Sequence, residues 1–150
     1  MNQDRYPFST NRNYLNFEFE SDGPNGKIKK IVRFNPEHAD GITFFNLSFG
    51  HLNEVTGELH HTAVSNNQDR TKILATVAAV VMEFTAHFPD MPVFATGSSH
   101  ARTRLYQMEI AANLNEIETN LDVFGSKQGT WYPFQKNVNY EAFLVRRKRK

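Results

Sequence analysis

The chain has 150 residues, 39% of them hydrophobic and 22% charged, a composition that excludes a disordered chain and is typical of one globular domain. It has no cysteine, which excludes disulfide bonds, thiol catalysis and thiolate metal sites. The net charge of +1 is unevenly distributed, because residues 146–150 are all basic and the remaining 12 basic and 16 acidic side chains sum to −4. We therefore expect a single domain over residues 1–150 that ends in a basic tail at 146–150.

The N-terminal half of the chain predicts an antiparallel β-meander. Residues 1–13 are polar and lack the apolar segment of a signal peptide, so we expect a cytoplasmic protein. Segments that alternate between apolar and polar side chains are separated by turn residues at 21–26, and the Asn-Pro step of 35–41 predicts a second break. The predicted strands are 14–20, 27–34, 42–49 and 59–64.

The C-terminal half predicts helices and strands in alternation. Residues 70–87 have a helical pattern that is apolar enough for burial against a sheet, and the run is too short to span a membrane. A second helix over 99–115 has a predicted core face made of Ala101, Leu105, Met108 and Ala112. The remaining predicted strands are 93–96, 121–124, 131–134 and 140–145. The fold class is therefore α+β, an N-terminal antiparallel β-meander followed by α-β-α-β(β), with one sheet and two main helices.

The most specific candidate site is the strand-to-helix segment 92–106. A short apolar run ends at a glycine, and two serines then open a helix whose first turn exposes backbone amides. An arginine close to a helix N-terminus costs about 0.3–1 kcal/mol unless an anion or a carboxylate offsets it. The pattern is typical of an ordinary capped helix whose arginine pairs with an acid such as Glu109, and an anion site is the alternative that the arginine suggests. The candidate binding residues are Gly97, Ser98, Ser99 and Arg102, with Tyr106 one turn further along.

A second candidate is the polar junction that precedes the first helix. Its residues could cradle a phosphate, although the junction lacks a glycine, and capping of the helix by Asn67 or Asp69 is the alternative. The candidate residues are Ser65, Asn66, Asn67 and Arg70.

Other polar and aromatic groups give weaker signals. Six histidines show no ligand-like spacing with carboxylates, and His60 and His61 are expected on opposite faces of a strand, so we predict no metal site. Trp131 and Tyr132 could stack on a base or a partner surface, but we expect them to close the core at the sheet edge. The basic tail is either solvated or in contact with nucleic acid.

Four segments carry a resemblance that covers nearly the whole chain. They are GPNGKIKKIVRF at 23–34, VSNN at 64–67 with ILATVAA at 73–79, ATGSSHARTRLY at 95–106 and YEAFLV at 140–145. In these motifs the chain is similar to a family of small Bacteroidetes proteins, a resemblance that implies no established activity.

The order of the elements carries a second, partial resemblance. Strands followed by a buried helix, a strand and a helix with the A-x-x-x-L-Y pattern of 101–106 are similar to the C-terminal half of Gcn5-related N-acetyltransferases. The resemblance implies acetyl-CoA as cofactor, with Val64 and Ser65 along its pantetheine and residues 67–70 at its pyrophosphate. It also implies that Tyr106 is the general acid that protonates the leaving thiolate.

Two functions are therefore open on the sequence. The first is an acetyltransferase-like domain, catalytic or not, that binds an anionic, phosphate-bearing ligand at the start of the second helix. The second is a non-enzymatic interaction module, such as one component of a bacterial regulatory or toxin–antitoxin pair. That module would use the basic tail and the aromatic C-terminal strands on nucleic acid or on a protein.

Overall fold

The computed structural model describes residues 4–52, 55–56, 59–60, 68–97 and 99–148. The helices are α1 (Arg70–His87), α2 (His100–Ala112) and α3 (Leu114–Ile117). The strands are β1 (Ser9–Thr10), β2 (Asn16–Gly23), β3 (Gly26–Ala39), β4 (Ile42–Leu52), β5 (Leu59–His60), β6 (Val93–Ala95), β7 (Leu121–Lys127), β8 (Thr130–Pro133) and β9 (Ala142–Arg147). This order confirms the predicted α+β class. Within the described ranges, no helix combines the length and the apolar character needed to cross a membrane.

The main differences from the predicted elements are at three places. The break predicted at Asn35–Pro36 is wrong, because β3 continues through both residues to a two-residue turn with positive φ at Asp40 (52°) and Gly41 (77°). This backbone geometry matches the twist of the flanking strands, so a tight hairpin joins β3 to β4. The second helix is interrupted at Asn113, and the short strand β1 was not predicted. The predicted strand residues 61–64 lie outside the described part of the chain.

The described residues form two compact units, of which the first lies within Met1–Asn35 and Ser48–Phe84. Here β1, β2 and β3 pair antiparallel, and the register places Phe17 opposite Val32. Both side chains are fully buried, and the Phe34 ring stacks on Phe84 of α1 with 3.8 Å between ring centroids. The apolar helix predicted for 70–87 therefore covers the inner face of this part of the sheet.

The second unit consists of Pro36–Leu47 and Thr85–Lys150. Strand β6 pairs parallel with β4, and the order then runs β6-β9-β7-β8 through antiparallel pairs. The register aligns Val93, Val145 and Val123 on one face of these strands, and Val93 and Val123 are buried. Phe94, Leu144 and Phe124 are aligned on the opposite face.

A glycine provides room for an aromatic ring in this unit. A Cβ atom at Gly125 would lie 2.3 Å from the Tyr140 ring, so only a residue without a side chain fits beneath it. The Tyr140 hydroxyl accepts a hydrogen bond from the backbone N–H of Gln135 at 3.0 Å. Phe134 and Phe143 complete this aromatic cluster.

The last strand in the order, β8, lacks one backbone hydrogen-bond donor along its outer edge. The Phe134 N–H donates to the Val123 carbonyl at 2.9 Å, so the alternation of the antiparallel ladder turns the backbone of Trp131 and Pro133 away from β7. Because proline has no N–H, this outer edge lacks a donor at one of those two positions, which disfavours pairing with another strand.

Candidate functional site

The start of α2 is capped by Ser99. Its backbone is extended (φ −151°, ψ 165°), and its Oγ accepts a hydrogen bond from the Arg102 N–H at 3.2 Å. The Ser99 carbonyl accepts the first helical hydrogen bond from the Thr103 N–H at 3.0 Å. The predicted serine cap is therefore present, while Ser98 lies outside the described residues.

Gly97 packs directly against this first turn. Its N–H donates to Thr103 Oγ1 at 3.0 Å, and that hydroxyl donates to the Ser99 carbonyl at 3.1 Å. A Cβ at Gly97 would lie 2.4 Å from the Thr103 nitrogen, so the glycine permits a close approach between strand end and helix. The Gly97 amide and the Ser99 hydroxyl thus stabilise the helix start. A ligand there would have to be held mainly by other groups.

Those other groups are Arg102 and Tyr106, which are neighbours on one side of α2. Tyr106 is half-buried, and burial raises the pKa of its phenol, whereas the positive charge of Arg102 acts in the opposite direction. The phenol is therefore a hydrogen-bond donor at neutral pH. Within the described part of the chain its hydroxyl makes no hydrogen bond. The first turn of α2 contains no acidic residue.

The same side of α2 continues one turn further with Glu109 and Asn113. The Asn113 amide donates to Glu109 Oε1 at 2.8 Å. Burial raises the pKa of the Glu109 carboxyl, and the hydrogen bond from Asn113 acts in the opposite direction. Arg102, Tyr106, Glu109 and Asn113 thus form a half-buried polar strip along α2.

The predicted core face of α2 is wrong. Met108 is 58% exposed, Ala101 and Ala112 are exposed, and the buried residue of the helix is Thr103. Polar contacts hold the helix in place instead. The Thr103 hydroxyl can be buried at little cost in free energy because it is hydrogen-bonded.

Two further polar contacts join α2 to the segment before β9. The side-chain amide of Gln107 donates to the Val138 carbonyl at 2.6 Å, and its Oε1 accepts from the Tyr140 N–H at 3.0 Å. Arg104 donates to the side chain of Asn139 at 3.2 Å, so its guanidinium is directed away from Arg102.

At the second predicted junction, Ser65, Asn66 and Asn67 lie outside the described residues, and Arg70 is an exposed residue at the first position of α1. The side chain of Asp69 does not cap the helix in the predicted manner. Its Oδ2 accepts hydrogen bonds from the Tyr6 hydroxyl at 2.5 Å and the Ser21 hydroxyl at 2.6 Å. Sequence spacing gives no signal for this cluster, because its partners are 63 and 48 residues away.

Trp131 and Tyr132 do not close the core as predicted. They are 41% and 46% exposed. Among the described residues, no group of three or more histidines and carboxylates is arranged to hold a metal ion.

Comparison with known proteins gives one finding. The model of a family of unknown function matches residues 2–148, which is nearly the whole chain. No curated protein and no solved structure gives a significant match.

Proposed function

Because the chain belongs to the DUF6934 family of unknown function, we propose its function from the site itself: the start of α2 binds a phosphate-bearing anion between Arg102 and Tyr106. The observation that carries the proposal is Tyr106, a half-buried residue whose hydroxyl makes no hydrogen bond within the described residues. A hydrogen bond from this hydroxyl to a ligand oxygen is a favourable interaction with the ligand.

The electrostatics of the helix start favour a negative ligand. The α2 macrodipole places partial positive charge there, Arg102 adds a full charge, and the first turn of the helix contains no acidic residue. Because Gly97 and Ser99 use their polar groups internally, we expect the guanidinium and the phenol to supply most of the binding energy. Such a pair of donors suits the oxygens of a phosphate group.

Thermal unfolding tests the proposal with inorganic phosphate, ATP and acetyl-CoA as probes. A ligand at 100 times its Kd adds about 2.7 kcal/mol to the free energy of unfolding. For a chain of this size that gain raises Tm by about 5–10 °C. Acetyl-CoA is included because an acetyltransferase-like function requires it to bind better than the other two probes.

The variants separate ligand binding from effects on the fold. Tyr106→Phe removes only the hydroxyl, and Arg102→Gln removes the charge; each is expected to weaken binding about tenfold or more, because a hydrogen bond to a charged group contributes about 1.5–3 kcal/mol. Arg104→Gln is the matched control and should leave binding unchanged, since Arg104 contacts Asn139. The absence of a Tm shift with all three probes at millimolar concentration would refute the proposal, as would equal binding by the Tyr106→Phe and Arg102→Gln variants.

A further inference from the structure

The second unit presents a row of aromatic side chains on one face of its strands. We call it the aromatic face and define it by Phe44, Phe94, Phe124, Leu144 and Trp131. The register aligns Phe94, Leu144 and Phe124 across three neighbouring strands, and Trp131 follows on β8 opposite Ser126. Phe44 lies two residues before Asn46, the β4 residue paired with Phe94, and therefore points to the same side.

The rings of this face contact one another but remain accessible. The Phe94 ring centroid is 6.2 Å from that of Phe44 and 6.0 Å from that of Trp131. Phe44, Phe94, Phe124 and Leu144 are half-buried, in contrast to the buried side chains on the opposite face. A soluble protein rarely leaves so many large apolar groups accessible on neighbouring strands without a binding role.

Positive charge is placed at the end of the same face. Alternation along β9 and beyond puts Leu144, Arg146 and Lys148 on one side of the strand. The Arg146 guanidinium lies over the Phe124 ring, 5.1 Å from its centroid. Asp122 lies 3.6 Å from Arg146 and 4.0 Å from Lys148, so one carboxylate is shared between two cations.

The combination of stacking surfaces and positive charge favours single-stranded nucleic acid as the partner. Single-stranded nucleic acid offers flat bases that stack on aromatic rings and phosphates that pair with basic side chains. A duplex hides the faces of its bases, so it would use the charges but not the rings. Pairing of β8 with a strand of another protein is disfavoured by Pro133 at its outer edge.

We propose that the aromatic face, together with Arg146 and Lys148, binds single-stranded nucleic acid. Bases stack on Trp131 and the neighbouring rings, while the phosphates lie along the basic end of β9. The chain continues after Lys148 with two more basic residues, Arg149 and Lys150, which extend the positive charge in the sequence. This proposal is independent of the anion site on α2.

Trp131 supplies a built-in probe, because it is the one tryptophan of the chain. Titration of the full chain with a dT or U 12-mer at low salt is expected to quench its fluorescence, and a duplex of the same length should bind more weakly. The binding constant should fall steeply as the salt concentration rises. A plot of its logarithm against the logarithm of the salt concentration should have a slope of about −0.7 per phosphate contact. The DNA and RNA strands are separate arms, and binding of either one supports the proposal.

Two variants test the two parts of the surface. Arg146→Gln with Lys148→Gln should reduce the salt slope by about 1.4. Trp131→Ala, followed with a fluorescently labelled oligonucleotide, should weaken binding about tenfold with little change in the slope. The matched control is Lys27→Gln with Lys29→Gln, which removes the same charge from β3 in the first unit and should bind as the wild type does.

Several results would overturn the proposal. They are the absence of binding at low salt, stronger binding of the duplex than of the single strand, and equal losses in the control pair and the β9 pair. Unchanged affinity in a folded Trp131→Ala variant, with its Tm verified, would show that the rings do not stack on bases and would likewise refute it.

Discussion

Thr103 shows how a hydroxyl replaces an apolar core residue in α2. It is 6% exposed, accepts a hydrogen bond from the Gly97 N–H and donates one to the Ser99 carbonyl. The hydroxyl therefore satisfies a backbone amide at the strand end and fixes the path of the chain into the helix. Gly97 and Ser99, two of the residues that the sequence predicts as anion ligands, are both hydrogen-bonded to this side chain.

Replacement of Thr103 by valine keeps the shape and removes the hydroxyl. The Gly97 N–H then loses its acceptor, and we expect the free energy of unfolding to fall by about 1–3 kcal/mol. Urea denaturation measures the difference. Thr103→Ser keeps the hydroxyl and should lose less, so a larger loss in the serine variant would show that the methyl group, not the hydrogen bond, matters there.

At the level of secondary-structure elements, α1 and α2 are held in different ways. Helix α1 is apolar along most of its length, and its predicted bounds agree with the observed ones because burial and helical periodicity act together there. Helix α2 has no such periodicity, and its polar strip is half-buried while Met108 is exposed. Its extent was predicted to within a few residues, but its orientation depends on hydrogen bonds to chain segments that the sequence of the helix does not reveal.

The polar strip of α2 makes stability depend on pH. The pKa of Glu109 in the folded protein is raised above its ordinary value of 4.5, so the folded state prefers the protonated carboxyl. That contribution to stability is complete below about pH 4.5 and is lost as the pH rises through the folded-state pKa. Glu109→Gln, which still accepts from Asn113, should therefore have a higher Tm than the wild type at pH 7.

The difference between the Glu109→Gln variant and the wild type should disappear at pH 4. Differential scanning calorimetry at both pH values measures it. Glu37→Gln, which changes an exposed carboxylate of the same unit, is the control. An equal gain at pH 4 and pH 7 would contradict the assigned cause.

At the scale of the whole molecule, the fold class was predictable because alternation and turn residues mark the strands locally. What could not be predicted are contacts between residues far apart in the sequence. Asp69 was expected to cap α1, but its carboxylate instead joins Tyr6 and Ser21 from the N-terminal segment and β2. The exposure of Trp131 is another such case, because an aromatic residue in a strand suits a core and a binding face equally.

Removal of the Asp69 carboxylate tests this long-range cluster. Ser21 is fully buried, so Asp69→Ala leaves its hydroxyl without this acceptor, and we expect a loss of about 1–3 kcal/mol in the free energy of unfolding. Ser21→Ala in the Asp69→Ala background should then cost less than in the wild type, because the interaction is already absent. Additive losses in this double-mutant cycle would show that the two side chains are not coupled.

The glycine beneath the Tyr140 ring also has a consequence for how the sequence can change over time. A residue larger than glycine fits at position 125 only after Tyr140 has been replaced by a residue without a ring, because a Cβ at 125 would overlap that ring. The reverse order, in which the tyrosine is lost first, leaves a gap but no clash. The two positions are therefore expected to vary together among relatives, with the change at 140 preceding the change at 125.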